Sequence, residues 1–150
     1  MGQSFTNLLY HILFSTKHRQ PLITSMVENR LYGYLGGIIG GQKGIALEIN
    51  GVVDHVHLLV KLSQNKSIAD VLRDLKADSS GWVHKEFPSL KAFSWQLGYA
   101  AFSVSESLVE RVRQYIRNQK QHHHKVTFQD ELVSLLRAHG VDFDEKYLLG

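Results

Sequence analysis

Asn50-Gly51-Val52-Val53-Asp54-His55-Val56-His57-Leu58-Leu59-Val60 decides the fold. A turn near Gly51 separates a run from Ile45 to Asn50 from a run from Asp54 to Leu62, which reads as a hairpin. Alternate residues of a strand share one side. Val56, Leu58 and Val60 therefore enter a core, while His55 and His57 project together on the opposite face. Asp54 alternates away from the histidines, so it is not expected to ligate the same metal as they do.

The flanking elements complete the topology. Upstream, Phe5 to Ser15 reads as a strand with Tyr10, Ile12 and Phe14 on one side and Leu9, His11 and Leu13 on the other. A strand apolar on both sides lies between two covering layers. Ser25-x-x-Glu28 is a capping box that opens a helix with Val27, Leu31, Leu35 and Ile38 on its inner stripe. Gly36, Gly37, Gly40 and Gly41 are expected to weaken and end it. Downstream, Ser67-x-x-Asp70 starts a second helix carrying Ile68, Leu72, Leu75 and Trp82. A fourth strand is predicted from Ser94 to Val104. Ser107-x-x-Glu110 opens a third helix reaching about Gln121, and Thr127-x-x-Asp130 a fourth with Leu132, Leu135 and Leu136, stopped by Gly140. The order β-α-β-β-α-β followed by two helices gives an α+β fold: a ferredoxin-like (RRM-like) antiparallel sheet with additional C-terminal helices. The third strand is central, and two crossover helices cover one face. A C-terminal helix or a second subunit should cover the other.

The 150 residues are expected to form a single domain, 1–150. Hydrophobic residues are 43% and charged residues 21%, an ordinary globular balance. The absence of cysteine excludes disulfide scaffolds, zinc fingers, iron–sulfur clusters and thiol catalysis. No apolar run approaches membrane length and no signal peptide is visible, so the expected location is cytoplasmic, with no membrane partner. The net charge of +3 is concentrated. Arg111, Arg113, Arg117, Lys120 and Lys125 lie in one stretch without an acid, together with His122, His123 and His124. Such a cluster suits phosphate binding. The three histidines read as a flexible surface cluster, with metal chelation as the alternative.

The paired His55 and His57 have the geometry and donor type of metal ligands, or of two histidines satisfied by hydrogen bonds. Tyr115 and Gln119, at i and i+4, lie on one helical face with Leu108 and Val112. An amide ending an apolar stripe needs a partner, and a metal accepts its carbonyl oxygen well. A tyrosine one turn away can then reach a phosphate held by that metal. His11 lies near this side, where a structural hydrogen bond is the expected role. Lys17 and Arg19 fit either a DNA backbone or a solvated turn.

These residues resemble the single-tyrosine transposases of small bacterial insertion sequences, the IS200-like family of HUH nucleases (His, hydrophobic, His). His55-Val56-His57 fits the paired-histidine motif, and Tyr115-Ile116-Arg117-Asn118-Gln119 the tyrosine helix. Tyr10-His11-Ile12-Leu13-Phe14 with Lys17, His18 and Arg19 is similar to the family's opening strand and basic turn. Trp95-Gln96-Leu97-Gly98-Tyr99 with Phe102 and Ser103 is similar to its fourth strand. The resemblance implies that His55, His57 and Gln119 hold one divalent cation, Mg²⁺ or Mn²⁺. It implies that Tyr115 is the catalytic nucleophile, forming a 5′-phosphotyrosine link and freeing a 3′-hydroxyl. The implied DNA-binding residues are Lys17, Arg19, Arg111, Arg113, Arg117, Lys120 and Lys125. The implied partners are single-stranded DNA with hairpins and a second copy of the chain, in a homodimer with composite active sites.

Two other readings compete. A domesticated or inactive relative would bind DNA hairpins without moving DNA. An RRM-like module would bind nucleic acid on exposed sheet aromatics, although the first strand carries no paired aromatic signature of that kind. The fourth strand should be a sheet edge, and its apolar sequence (Leu97, Tyr99, Phe102, Val104) favours pairing with a twin in a second subunit.

Overall fold

The computed structural model describes residues 2–150. Strands β1 (Leu8–Ser15), β2 (Ile45–Val52), β3 (His55–Leu62) and β4 (Ala100–Val104) form one antiparallel sheet in the order β2-β3-β1-β4. Helices α1 (Ser25–Gly41) and α2 (Ile68–Glu86) cross one face. Helix α3 (Val109–Arg117), the single turn α4 (Gln119–His122) and helix α5 (Phe128–Ala138) follow β4. This is the ferredoxin-like sheet expected from the element order, with the histidine strand β3 central and β4 at an edge.

Strand alternation divides the core in two. Ile12, Phe14, Val56, Leu58 and Val60 pack under α1 and α2. On the opposite face, Leu13 and Phe102 pack against Phe128, Leu132 and Leu136 of α5 and Leu148 of the tail. Gly51 sits opposite Val56 where β2 meets β3. A Cβ there would stand 2.2 Å from the His55 carbonyl oxygen, so only glycine lets the two backbones close. No helix among the described residues is long and apolar enough to cross a membrane.

Several boundaries differ from the sequence reading for local reasons. Thr24, not Ser25, is the N-cap residue of α1, and it makes no side-chain cap bond. Glu28 instead faces Lys120 at 3.1 Å, so the proposed capping box does not form. Gly36, Gly37 and Gly40 stay inside α1, because burial of Val27, Leu31, Leu35 and Ile39 holds the helix past them. The caps at Ser67 and Thr127 do form, accepting from the Asp70 and Asp130 amides at 3.0 and 3.2 Å. β1 begins at Leu8, whose partner Leu62 ends β3 and leaves residues 5–7 without a strand to pair with. β4 begins only at Ala100. Before it, Trp95 keeps only an isolated antiparallel bridge to Thr16, and Lys76 Nζ donates to the carbonyls of Gln96, Leu97 and Gly98. Ser105 precedes a 3₁₀ turn (Glu106–Leu108) that leads into α3, so Ser107 is not the cap. Asn118 interrupts the helix between α3 and α4.

Candidate metal centre and tyrosine site

β3 delivers His55 and His57 to the face covered by α3 to α5, and both are fully buried. Each ring has its Nδ1 turned outward onto a partner. His55 Nδ1 lies 2.8 Å from Asp54 Oδ1, and His57 Nδ1 lies 2.8 Å from His11 Nε2. His123, which follows α4, repeats the pattern by donating from Nδ1 to the Val126 carbonyl at 2.6 Å. The three Nε2 atoms then converge on one oxygen, Glu131 Oε1, at 3.2 Å (His55), 3.0 Å (His57) and 2.8 Å (His123). Four ligand atoms, one from each of these residues, lie within 4.8 Å of one another. Partners that fix the second ring nitrogen are what orient metal-binding histidines. Three imidazoles and a carboxylate fit a first-row divalent cation.

Tyr115 and Gln119 reach the same centre from the tyrosine helix. The Tyr115 hydroxyl donates to Glu131 Oε2, and its ring lies 5.9 Å from those of both His11 and His57. The Gln119 amide donates to Glu131 Oε2 at 2.8 Å, while its carbonyl oxygen lies 3.3 Å from His55 Nε2. All these groups come from one chain.

Burial and hydrogen bonding set the protonation states. Burial pushes His57 down to about 4, and burial with the neighbouring His57 pushes His11 down to about 3. Both rings are neutral at pH 7. Burial alone would lower His55 as well, but its hydrogen bonds to Asp54 and Glu131 prevail and raise it. Burial would raise Glu131, yet hydrogen bonds from His123, His55 and His57 hold it far below the usual carboxylate range. Burial and the Glu131 charge raise Tyr115 above the ordinary phenol range, so the phenol stays protonated here.

The expected DNA-binding residues separate into two groups. Arg117 and Arg113 turn to Glu48 on β2, at 3.1 and 3.9 Å, and Lys120 pairs with Glu28 and Asn50. Among the described residues, Lys17, Arg19, Arg111 and Lys125 make no ion pair.

Glu131 is an addition that the sequence reading did not supply, whereas His11 makes a structural hydrogen bond of the kind expected of it, to His57. His123 is not a flexible surface residue, because its side chain is only 8% exposed. Asp54 does lie outside the ligand cluster, yet its carboxylate turns back to hold His55. Glu131 had a signal in the sequence. Phe128, Glu131, Leu132 and Leu135 share one helical stripe, and an acid on a buried stripe needs partners.

Comparison with known proteins gives the family. The family described as "Transposase IS200 like" matches residues 4–119, which includes His55, His57, Tyr115 and Gln119 but stops before His123 and Glu131. The ISDra2 transposase TnpA of Deinococcus radiodurans is 29% identical over 119 residues, covering 75% of this chain and 84% of that protein. The transposase for insertion sequence element IS200 of Salmonella typhimurium is 25% identical over 118 residues, covering 75% and 77%. A crystal structure of a protein described as a transposase from Deinococcus radiodurans superimposes with a TM-score of 0.65 at 28% identity, covering 79% of this chain and 96% of that one. A REP-associated tyrosine transposase, solved bound to a REP hairpin, shares the fold with a TM-score of 0.61 at 12% identity, covering 84% and 74%. With more than half of its length matched, across both the paired histidines and the tyrosine helix, the chain belongs to the IS200-like transposase family.

Proposed function

We propose that this protein cleaves and rejoins single-stranded DNA at insertion-sequence ends through a 5′-phosphotyrosine intermediate. The observation that carries the reading is the convergence of three Nε2 atoms and one carboxylate beside Tyr115. In the cleavage step the Tyr115 Oη–P bond forms as the P–O3′ bond breaks. The phenolic proton passes to solvent as that bond forms, and the departing 3′-oxygen takes a proton from solvent, so the step neither gains nor loses a proton. Attack by another 3′-hydroxyl reverses these events and restores the phenol. Each step exchanges one phosphate ester for another, so no energy-supplying cofactor is required.

His55, His57, His123 and Glu131 would hold the divalent cation, with Gln119 braced against them. When bound, that cation supplies positive charge that polarises the scissile phosphate. The imidazole-rich donor set favours Mn²⁺, or a later first-row ion, over Mg²⁺. Asp54 and His11 fix the rings, and α3 to α5 exclude water. The same helices cover the sheet surface that an RRM-like binder would need open, which supports catalysis over simple binding. Exposed Arg111, Lys17 and Lys125 are proposed to bind substrate phosphates, with Arg113, Arg117 and Lys120 joining them when DNA displaces their acid partners. The proposed substrate is single-stranded DNA carrying hairpins.

The proposed assembly is a homodimer with composite sites. β4 pairs with β1 on one side only, and Leu97 is 94% exposed beside it. Exchange of the segment after Ser105–Leu108 between subunits would keep every contact of the single-chain site.

The test is cleavage of end-labelled single-stranded DNA copied from the flanks of the protein's own gene. Cleavage with Mn²⁺, and its loss in excess chelator and in His55→Ala and His57→Ala, is the expected result. Undiminished cleavage in chelator contradicts the metal role.

A further inference from the structure

A cavity of about 730 Å³ opens beside the candidate metal centre, with His123 and Lys125 in its lining. Its size falls within the usual range for ligand pockets, roughly 300–1,000 Å³. Ile23, Val53 and Phe128 give it an apolar wall, and Arg19 and Lys125 give it a cationic rim. Val53 is 46% exposed on the β2–β3 turn, which leaves its side chain open to a ligand in the cavity. Arg19 arrives on a turn where both His18 and Arg19 adopt left-handed backbone, with φ of 58° and 53°. Such a conformation is costly for non-glycine residues and tends to be kept where function needs it. Here the Thr16 hydroxyl holds it by donating to the Gln20 carbonyl at 2.7 Å.

The position of the pocket suggests its occupant. Asp54, His123 and Phe128 line it, and the rings of His123 and Phe128 lie 4.4 and 4.5 Å from that of His55. Tyr115 does not line it and stands instead against His57 and His11. The histidine pair thus separates the nucleophile from the cavity. In an in-line displacement at phosphorus, the leaving oxygen departs on the side away from the attacking one. An apolar wall with a cationic rim matches a nucleotide, whose base is flat and whose phosphate is anionic.

We propose that this pocket seats the nucleotide bearing the departing 3′-hydroxyl and retains it for the rejoining step. The inference rests on the transposase reading, because the polarity of the strand follows from the 5′-phosphotyrosine link. Arg19 and Lys125 hold the phosphate of that nucleotide, and Val53 and Phe128 hold its base.

The experiment uses two dodecathymidylates, each with one 5-iododeoxyuridine, at the 3′ end or at the 5′ end. They are irradiated with the full-length protein in chelator, and cross-linked peptides are mapped by mass spectrometry. The 3′-end probe is expected to cross-link to the segments around Val53 and residues 124–128 at least fivefold more than the 5′-end probe. Val53→Trp, which fills the cavity from an exposed turn, and Lys125→Glu are each expected to remove most of that cross-link. Equal cross-linking by both probes, or mapping of the 3′ end elsewhere, overturns the inference. So does a wild-type yield from both variants. Formation of a Tyr115–DNA adduct is scored separately. An adduct without pocket cross-links sinks the inference alone, whereas pocket cross-links without any adduct leave a nucleotide site and remove the transposase reading.

Discussion

Three imidazoles meet one carboxylate here because each has its outer nitrogen already bonded, to Asp54, to His11 and to the Val126 carbonyl. The arrangement has a pH signature in metal-free protein. His57 and His11 titrate near 6.5 when unfolded but at about 4 and about 3 when folded. Below pH 6.5 the unfolded chain therefore holds protons that the folded chain refuses. Stability then falls with pH by about 1.4 kcal/mol per unit for each such proton. His55, raised by its partners, acts in the opposite sense and gains stability on acidification. The depressed Glu131 loses its contribution only once the pH drops below its unfolded value of 4.5. The His55 gain is complete by pH 6.5, so between pH 6.5 and 5 the two lowered histidines set the slope and the metal-free Tm should fall as the pH is lowered across that range. His11→Asn keeps a donor for His57, removes one titration and should flatten the slope, as thermal melts in chelator will measure. An unchanged slope contradicts the assignment of His11. At this scale the sequence exposed only part of the site. His55 and His57, and likewise Tyr115 and Gln119, announce themselves by their short spacing in the sequence. His11 and Glu131 meet His57 across 46 and 74 residues of chain, and His123 joins them at Glu131, juxtapositions that no local period encodes.

Glycine has opposite roles in two elements, and substitution separates them. At Gly51 a Cβ would strike the His55 carbonyl oxygen and the Val56 Cα, at 2.2 and 2.9 Å, and neither backbone atom can yield cheaply. Gly51→Val is expected to cost at least about 1–3 kcal/mol through overpacking and to disorder the histidine strand. At Gly37, inside α1, a Cβ meets nothing within 4 Å. Gly37→Ala should stabilise by roughly 0.5–1 kcal/mol, since alanine loses less backbone freedom in a helix. Urea unfolding of the two variants checks both signs, and a neutral Gly51→Val would refute the close-approach argument. Element identity was legible wherever a hydrophobic period or a cap was intact, as at β3, Ser67 and Thr127. It failed where side chains took over backbone bonding. Lys76 takes the carbonyls of residues 96–98, so the pairing with β1 shrinks there to the single Thr16–Trp95 bridge and residues 94–99 do not form a continuous strand.

Across the whole molecule, the sheet divides the work. One face is a hydrophobic core under α1 and α2, and the other buries a polar centre beneath α3 to α5. The tail fastens that second layer, since the Gly150 carbonyl accepts from the Gly98 amide and from the Gln96 side chain, each at 2.9 Å. If subunits exchange that layer, Tyr115→Phe mixed with a His55→Ala, His57→Ala double variant should regain cleavage. The regained site would combine the intact histidines of one chain with the intact tyrosine of the other. No recovery despite proven subunit exchange would mean that each chain completes its own site. The element order made the sheet legible in advance, but not the closure of the site by α5, because nothing within that helix names its partner strand. The most direct measurement concerns Tyr115 itself. Wild-type protein is incubated with Mn²⁺ and single-stranded DNA from the flanks of its own gene, digested, and analysed by mass spectrometry for a nucleotide-bearing peptide. The account predicts a phosphotyrosine-linked nucleotide on Tyr115, absent from Tyr115→Phe, which still binds the DNA. An adduct on another residue, or a full-strength adduct from Tyr115→Phe, would contradict it.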